Sequence, residues 1–467
     1  MVELVAERTT ARGTAAVLEE LSARFGARLA TGLALREQHA NIMTWLPNQA
    51  PDAVVFAHST EEVQAVVRAC ARERVPIIPF GTGTSLEGQI NAPQGGICLD
   101  LSGMNRVLAV HPEDLDCVVE PGVTRKQLNE HLRDAGLFFP IDPGADASLG
   151  GMASTRASGT NAVRYGTMRD NVIAMTVVLP NGEIATTATR ARKSASGYDL
   201  TRLMIGAEGT LGVITGLTLR LHGLPEAISA GVCGFPTIRA ACDAVIATIQ
   251  TGLPVARIEL LDEVQVRACN AYSKLTLAEQ PTLFVEFHGT EAGVHEQAER
   301  FGDIAAEFGG GAFDWATRPE DRSRLWQARH DAYWAALPLR PGAKPIATDV
   351  CVPISRLADC VDETKHDIVE LGLIAPIVGH VGDGNFHTVL MVDTDDAADV
   401  AKVKRFMSRL VERALAMDGT ATGEHGVGQG KRGYMEAEHG RPALDAMRAI
   451  KASLDPHGIM NPGKMLP

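Results

Sequence analysis

Two histidines seven positions apart, together with an acidic residue farther along the chain, are the side chains of this sequence best suited to hold a metal ion. His380 and His387 flank a glycine-rich turn at residues 382–385, and Glu424 follows about forty positions later, directly before His425. Imidazole and carboxylate donors can bind one divalent ion and leave coordination positions open for a substrate. The pattern predicts His380, His387 and Glu424 as metal ligands, with Zn²⁺ or Mn²⁺ favoured and Fe²⁺ or Co²⁺ also suitable.

Three glycine-rich tracts in the first half of the chain could hold a large anionic ligand. The first covers residues 81–88, the second residues 142–152 and the third residues 158–166. Glycine has no Cβ, so its backbone N–H groups can converge on a pyrophosphate and approach a flat ligand closely. Any one tract alone could be a set of tight surface turns. The three together favour a long ligand such as FAD.

The segments around the first tract predict a strand, a helix and a second strand that would position it. An apolar strand is expected at residues 52–57 and another at residues 75–80. Between them, Ser59 and Glu62 have the spacing of a capping box, which predicts the start of a helix. Strand, helix, strand and glycine loop in this order are typical of a nucleotide-binding unit.

Later segments predict strand pairings of a different kind. A hairpin is expected within residues 107–120, and Asn181-Gly182 predicts a tight turn after a strand at residues 171–179. After residue 224, strands alternate regularly with helices, which predicts a second domain with a sheet covered by helices. This mixture favours an α+β fold over a doubly wound parallel sheet. In the second domain, strands are expected near 229–235, 255–260, 282–288 and 347–352, and helices near 236–251, 291–308, 319–336 and 354–371.

Length and composition limit the function classes. A chain of 467 residues can form two or three domains. The net charge of -13 excludes nucleic acid as the main partner. Eight scattered cysteines without a CxxC pair indicate reduced thiols, and neither a secretory signal nor a membrane-spanning run is expected, which predicts a cytoplasmic protein. Peripheral contact with the inner membrane and homodimer formation stay open.

Several motifs together resemble a known family of flavoproteins. Residues 79–88, 158–166 and 206–212 resemble the vanillyl-alcohol-oxidase type of FAD-binding domain. With the metal motifs and residues 461–464, the chain is similar to FAD-linked D-2-hydroxyacid dehydrogenases, and residues 328–333 and 348–355 resemble the cytochrome-type D-lactate dehydrogenases. The resemblance implies an FAD-binding domain at residues 1–224, a substrate- and metal-binding cap domain with an antiparallel sheet covered by helices at 225–430, and a C-terminal segment at 431–467 that returns to the FAD-binding domain.

The resemblance also implies which residues contact FAD. Contacts to the pyrophosphate and ribityl groups map to Gly81, Thr82, Gly83, Thr84, Ser85 and Gly144. Contacts around the flavin ring map to Ser148, Gly151, Ser158, Gly159, Asn161, Tyr165 and Gly166. Positions near the adenosine are Glu208, Val213 and Ile214. Further members of the implied set are Pro79, Pro143, Ala145, Met152, Ala162, Gly209, Gly212 and Asn461. No histidine occurs in the first tract to tether the flavin, so we expect noncovalent FAD.

The implied reaction is the oxidation of a D-2-hydroxy acid to its 2-oxo acid, with D-lactate the first expectation. His425 is the candidate general base, with a supporting role beside Glu424 as its alternative. Arg329 is the candidate partner of the substrate carboxylate, because guanidinium offers two parallel donors, and Lys344 is a weaker second cation.

Electrons must leave reduced FAD, and the sequence contains neither a haem CxxCH motif nor an iron–sulfur cysteine cluster. The acceptor is therefore expected to be external: a cytochrome, a quinone or an electron-transfer flavoprotein. Two alternatives are a sibling enzyme, D-2-hydroxyglutarate dehydrogenase or the FAD subunit of glycolate oxidase, and a metal-dependent hydrolase without flavin.

Overall fold

The computed structural model of the chain describes residues 11–42, 44–316 and 319–467, and the chain divides into two compact units. The first unit comprises Met1–Ala157, Thr167–Gly223 and Glu424–Pro467, and the second comprises Ser158–Gly166 and Leu224–Gly423. The chain thus passes into the second unit twice, briefly at residues 158–166 and then at residues 224–423, and returns to the first unit each time. Within the described residues, no helix is both long enough and apolar enough to cross a bilayer.

The described residues form helices and strands that alternate along much of the chain. The helices are α1 Ala11–Phe25, α2 Leu33–Gln38, α3 Thr60–Glu73, α4 Arg125–Leu132, α5 Leu149–Thr155, α6 Ala162–Tyr165, α7 Met168–Asn171, α8 Leu200–Met204, α9 Ile238–Gln250, α10 Glu263–Ser273, α11 Glu291–Glu307, α12 Pro319–His330, α13 Ala332–Ala336, α14 Leu357–Leu371, α15 Ala397–Ala416 and α16 Met435–Leu454. The strands are β1 Leu29–Ala30, β2 Ala53–Phe56, β3 Ile77–Phe80, β4 Ile97–Asp100, β5 Val107–His111, β6 Asp116–Val119, β7 Leu137–Phe138, β8 Val172–Val178, β9 Ile184–Thr186, β10 Val213–Arg220, β11 His222–Gly223, β12 Ala227–Gly234, β13 Val255–Leu261, β14 Thr282–Gly289, β15 Asp314–Ala316, β16 Lys344–Ala347, β17 Val350–Cys351, β18 Ile377–Gly379 and β19 Asn385–Val392.

The predicted strand–helix–strand unit before the first glycine tract is confirmed. Strands β2 and β3 both pair in parallel with β4, and the sheet order is β1-β2-β4-β3. Helix α3 begins after Ser59, whose hydroxyl accepts a hydrogen bond from the Glu62 N–H, and ends at Arg74 in the left-handed region. Its buried face packs with α1 in a core that includes Val17, Leu21, Val63 and Val67.

A strand-like segment from the C-terminal end of the chain completes this sheet edge. Ile77 in β3 forms a parallel bridge with Met460. The Ile77 N–H donates to the Ile459 carbonyl at 2.8 Å, and the Asn461 N–H donates to the Ile77 carbonyl at 2.8 Å. The C-terminal residues are therefore part of the first unit, joined to the strand that leads into the first glycine tract.

The first unit also contains an antiparallel sheet with the order β5-β6-β10-β8-β9. The predicted hairpins are confirmed, because β5 pairs with β6 and β8 pairs with β9, both antiparallel. Gly182, in the second turn, has a φ of +79°, which only glycine adopts without strain. Parallel and antiparallel sheets in one chain, with helices packed against them, confirm the α+β fold class.

The second unit is built on one antiparallel sheet with the order β15-β12-β14-β13-β18-β19-β16, and β17 also pairs with β19. Helices α10, α12 and α13 contribute to one apolar core with β13, β18 and β19. Helix α9 packs against α11 and α14, and α14 packs against α15. The predicted sheet covered by helices is confirmed.

Three details of the second unit differ from the sequence expectations. Helices α10 and α15 were not predicted. The helix expected at 319–336 is two helices separated at Asp331, and the strand expected at 347–352 is replaced by β16 and β17. Both short strands pair with the same long strand, β19, so a single continuous strand cannot account for this edge.

Candidate functional site

The first glycine tract follows directly after β3, and its shape depends on the absence of side chains. A Cβ on Gly81 would lie 2.2 Å from Ser148 Oγ, and Gly83 has a φ of +69°. The hydroxyls of Ser85 and Ser148 are buried and have no hydrogen-bond partner among the described residues. Buried hydroxyls without partners are costly, so these two atoms indicate a place for a polar ligand. The residues present here therefore fit the oxygens of FAD.

The second tract lies beside the first within the same unit. The Ser148 N–H donates to Thr82 Oγ1 at 3.4 Å, and Thr82 and Thr84 hydroxyls lie 3.3 Å apart. Ser148 directly precedes α5, and a Cβ on Gly151 would lie 3.0 Å from the Ser148 hydroxyl oxygen. The structure thus brings Gly81–Ser85 residues and Ser148 together. Their assignment as FAD contacts stays a prediction, as it does for Pro79, Pro143, Gly144, Ala145 and Met152.

Glu208 lies in the predicted adenosine group, but its carboxylate contacts another part of the first unit. It accepts hydrogen bonds from the backbone of Val427 at 2.6 Å and of Gly428 at 2.8 Å. Burial raises the pKa of Glu208 to about 6, against the lowering effect of these hydrogen bonds. Asn461 donates to the Glu208 carbonyl at 2.7 Å. FAD contacts at Glu208, Asn461, Gly209, Gly212, Val213 and Ile214 stay predictions.

The third tract belongs to the second unit, where its polar side chains meet the central strands. Asn161 Oδ1 accepts a hydrogen bond from Arg257 Nε at 2.9 Å. The Tyr165 hydroxyl lies 2.7 Å from His288 Nδ1. Gly166 has a φ of +76°, so a side chain there would strain the turn that follows α6. The assignments of Ser158, Gly159, Asn161, Ala162, Tyr165 and Gly166 to the flavin ring stay predictions.

His380 and His387 lie together at the junction of β18 and β19. Val378 pairs with His387 across the two strands, and His380 follows β18 directly. The two rings meet edge to face with centroids 5.4 Å apart. One ligand nitrogen of each ring lies within 4.8 Å of the other. The structure therefore brings these two predicted ligands together inside the second unit.

The other ring nitrogen of each histidine is held by an acceptor. His380 Nδ1 lies 2.8 Å from Glu259 Oε1, and His387 Nδ1 lies 2.9 Å from the Thr348 carbonyl oxygen. A carboxylate and a carbonyl can only accept, so both Nδ1 atoms carry the proton and both Nε2 atoms carry a lone pair. Metal-binding histidines are typically oriented in this way. The donor set therefore fits a divalent ion.

Arg329, the predicted partner of the substrate carboxylate, is buried and paired with the same carboxylate. Its Nη2 lies 2.5 Å from Glu259 Oε2, and only 7% of the residue is exposed. Its Nε–H has no partner among the described residues. Glu259 thus joins Arg329 to His380, while one guanidinium donor is left for another acceptor.

A second buried carboxylate lies on the neighbouring strand. Glu286, opposite Arg257 in β14, accepts from Trp326 Nε1 at 2.6 Å and lies 2.8 Å from His288 Nε2. Burial opposes the ionisation of Glu286, but Arg257 and His288 outweigh it, so its pKa is lowered. Sequence reasoning missed Glu259 and Glu286. The available signal was a polar residue at every second position of an apolar strand, as in Arg257 and Glu259.

The other predicted site residues are placed as follows. Lys344 is exposed at the start of β16, opposite Val392, five residues along β19 from His387. At ~3.4 Å per strand residue, its backbone lies ~17 Å from that histidine, so the structure does not bring Lys344 to this site. A Cβ on Gly423 would lie 2.1 Å from Asn385 Nδ2 in β19. Glu424 follows Gly423 by one peptide bond, and His425 by two.

Comparisons with known proteins place both halves of the chain in one group of flavoproteins. Residues 51–188 match the FAD binding domain, and residues 224–465, more than half of the chain, match the C-terminal domain of FAD linked oxidases. The chain belongs to the FAD linked oxidase family. This FAD linked oxidase is therefore an FAD-dependent oxidoreductase, which confirms the flavoprotein resemblance and disfavours a flavin-free hydrolase.

Two curated relatives cover nearly all of this FAD linked oxidase. It is 54% identical over 441 residues to the "Probable D-lactate dehydrogenase, mitochondrial" of Danio rerio, covering 94% of this chain and 89% of the relative. It is 52% identical over 417 residues to the mitochondrial D-lactate dehydrogenase (cytochrome) of Arabidopsis thaliana, covering 89% of this chain and 74% of the relative.

A solved structure supports the fold of this FAD linked oxidase. The 4-ethylphenol oxidase from Gulosibacter chungangensis, in complex with isoeugenol, matches with a TM-score of 0.79 over 98% of both chains at 20% identity. A likeness at this level of identity concerns the fold alone. It confirms the expected vanillyl-alcohol-oxidase type of architecture.

Proposed function

We propose that this FAD linked oxidase converts D-lactate to pyruvate and passes the electrons to an external acceptor. The proposal is carried by the identity of 54% to a protein named as a probable D-lactate dehydrogenase, over 94% of the chain. Residues 1–224 would bind FAD, and residues 225–430, which include Glu424 and His425, would bind the substrate and a metal. The domain boundaries at residues 224 and 430 belong to this proposal. When bound, FAD supplies an acceptor for the hydride that leaves carbon 2 of the substrate.

The proposed metal ligands are His380, His387 and Glu424. Support comes from the two Nδ1 atoms, which are held by Glu259 and Thr348 so that Nε2 is the ligand atom of each ring. His380 and His387, both in the second unit, each offer a ligand atom within 4.8 Å of the other. A divalent ion, Zn²⁺ or Mn²⁺ in our proposal, would supply a Lewis acid toward the oxygens of the substrate.

Side chains of the protein would accept the proton and orient the substrate. His425 would accept the proton that the substrate hydroxyl loses, since a neutral imidazole is a suitable base near neutral pH. Arg329 would orient the substrate through its carboxylate. The buried Arg329 Nε–H, without a partner among the described residues, supports this role, while Glu259 balances the guanidinium charge. Lys344, exposed at the start of β16, is not part of the proposed mechanism.

Anaerobic mixing with candidate substrates tests the reaction. The visible absorbance of the flavin should bleach fastest with D-lactate and stay unchanged with L-lactate. Glycolate and D-2-hydroxyglutarate should reduce the flavin more slowly. Faster reduction by glycolate would favour the FAD subunit of glycolate oxidase. Faster reduction by D-2-hydroxyglutarate would favour D-2-hydroxyglutarate dehydrogenase. No reduction by any of the four acids would end it.

The electron acceptor and the location in the cell are separate proposals. We propose a cytochrome, a quinone or an electron-transfer flavoprotein as the acceptor, and a cytoplasmic location with peripheral contact to the inner membrane. The two relatives above carry "mitochondrial" in their names. Fractionation of the native cells, followed by immunodetection of the protein in each fraction, tests the location. Assays with purified acceptors of the three classes test the partner.

A further inference from the structure

Glu208 combines two features that are uncommon for a glutamate. It is only 4% exposed, and its backbone has a φ of +52°, a region that residues with a Cβ seldom adopt. Such a conformation persists where the surrounding structure fixes it, often at functional sites. The hydrogen bonds of the Glu208 side chain therefore indicate which part of the structure this backbone conformation supports.

The Glu208 carboxylate binds the chain segment that follows His425. Its Oε1 accepts from the Val427 N–H at 2.6 Å, and its Oε2 accepts from the Gly428 N–H at 2.8 Å. Gln89, beside Glu208, donates from Nε2 to the His425 carbonyl at 2.8 Å. Hydrogen bonds to an ionised group are stronger than those between neutral groups. Backbone groups on three residues of this segment are thus fixed by two buried side chains.

Close packing leaves the segment no room to shift. A Cβ on Gly426 would lie 2.3 Å from Glu208 Oε1, and a Cβ on Gly428 would lie 2.1 Å from the Glu87 carbonyl oxygen. Both glycines also have positive φ angles, +80° and +48°. The glycines of this motif are therefore required by its contact with Glu208 and Glu87.

We infer that Glu208 is a positioning residue for the segment that carries Glu424 and His425, with Gln89 as its partner. This inference rests on the roles proposed above for those two residues, and it replaces the adenosine contact that the resemblance implied for Glu208. The carboxylate contacts neither substrate nor metal in this role. It fixes the backbone from which the metal ligand and the base extend.

Two substitutions and a matched control test the inference. Glu208→Gln replaces one carboxylate oxygen by an NH₂ group, which opposes the backbone N–H donors. Gln89→Leu removes the donor to His425 at similar volume. Glu120→Gln is the control, because Glu120 is also 4% exposed and accepts from a backbone N–H, that of Arg106, at 2.8 Å. Each purified holoprotein is analysed by hydrogen–deuterium exchange and by titration of the metal-stripped protein with Zn²⁺.

The expected result is faster exchange in the peptide covering residues 424–430 for Glu208→Gln and Gln89→Leu, and wild-type exchange there for Glu120→Gln. Zn²⁺ affinity should fall by about 10–100-fold in Glu208→Gln, as for other residues that orient metal ligands, with FAD content unchanged. Unchanged exchange in both test variants would overturn the inference. Loss of FAD with unchanged Zn²⁺ affinity would indicate that Glu208 supports the binding of FAD and not the metal ligand.

The exchange measurement does not depend on turnover. If the wild-type protein fails to oxidise any 2-hydroxy acid, the proposed function fails, while faster exchange in the variants still supports the positioning role of Glu208. If the wild type oxidises D-lactate and exchange stays unchanged in both variants, the proposed function stands and the positioning role fails.

Discussion

The glycine tracts of the first unit and the histidine pair of the second unit prepare their ligand sites in opposite ways. Around the tracts, the hydroxyls of Ser85 and Ser148 are buried without partners among the described residues. Around the histidines, each Nδ1 is already held, by Glu259 or by Thr348. In the first region, a bound ligand can supply hydrogen-bond partners for the two hydroxyls. In the second region, the orientation of the two histidine rings is fixed before a metal binds.

The two regions are therefore expected to be sensitive to different kinds of mutation. A site made of backbone and small residues is damaged by added volume, because a new Cβ occupies the space of the ligand or of a neighbour. A site made of oriented side chains is damaged by loss of a ligand or of the acceptor that orients it.

The largest effect is expected for His387→Ala, which removes a proposed ligand from β19. We expect kcat with D-lactate to fall roughly 10³–10⁴-fold, since a Lewis acid contributes several kcal/mol. FAD content should be unchanged. Steady-state kinetics and the flavin spectrum measure both. His222→Ala, which alters a half-buried histidine in the first unit, is the control. A variant that loses FAD and keeps its metal would reverse the contrast between the two regions.

A smaller loss is expected for His425→Ala, because only proton transfer is affected. We expect flavin reduction to slow about 10²–10³-fold, with Zn²⁺ affinity within about threefold of wild type. Stopped-flow measurement of the flavin absorbance gives the rate of flavin reduction. An unchanged rate would show that His425 is not the general base. Its alternative role, support of Glu424, would then remain.

Glu259→Gln tests whether the orientation of His380 is set by its acceptor. The amide can still accept the Nδ1–H but loses the charge that Arg329 faces at 2.5 Å. We expect Zn²⁺ affinity to fall about 10–100-fold and KM for D-lactate to rise, with FAD binding unchanged. Titration of the metal-stripped protein measures the first effect. Wild-type affinity and KM would mean that Glu259 has only a packing role.

Gly81→Ala tests the sensitivity of the first region to volume. The new Cβ would lie 2.2 Å from Ser148 Oγ, so the hydroxyl or the backbone must shift. Overpacking of this kind costs about 1–3 kcal/mol, and we expect FAD affinity to fall about tenfold or more. Fluorescence titration of the apoprotein with FAD measures it. Gly32→Ala is the control, since nothing lies within 4 Å of its Cβ position. Equal affinities in both variants would contradict the prediction.

The smallest expected effect is a pH dependence of the free energy of unfolding, which arises from the raised pKa of Glu208. Burial raises its pKa from 4.5 to about 6 in the folded protein. Between these values the folded state binds more protons than the unfolded state, so the free energy of unfolding falls as pH rises, by about 2 kcal/mol in total. Urea denaturation from pH 4.5 to 6.5 should show this fall in the wild type and a flatter profile in Glu208→Gln. Parallel profiles would contradict it.

Local patterns predicted much of the fold. The capping pair Ser59 and Glu62 located the start of α3, and Asn181-Gly182 located the turn between β8 and β9. Helix α15 was missed although Val403, Phe406 and Leu410 are buried at helical spacing. The polar residues 393–396, with Asp396 as the N-cap, separate this helix from β19, so the sequence did contain its start signal.

The site was predictable only where residue type and spacing carry the chemistry. His380 and His387 could be paired because they lie only seven positions apart, across a glycine-rich turn. The alternation of Arg257 and Glu259 marks polar positions in β13, but it could not assign Glu259 to the site, since Glu259 reaches His380 from 121 residues away through the pairing of strands. Residues that orient a site from distant parts of the chain leave no local pattern that identifies their partner, and this also holds for Glu208 and Val427.

The bridge between Ile77 and Met460 has a consequence for synthesis of the protein. Ile77 cannot form this bridge until the segment around Met460 has been synthesised, 383 positions later. At ~5–20 residues per second, roughly 20–80 s pass between the appearance of the two partners. During that interval the second unit can fold while the first still exposes a strand, and this delay is when chaperones would protect the nascent protein from aggregation.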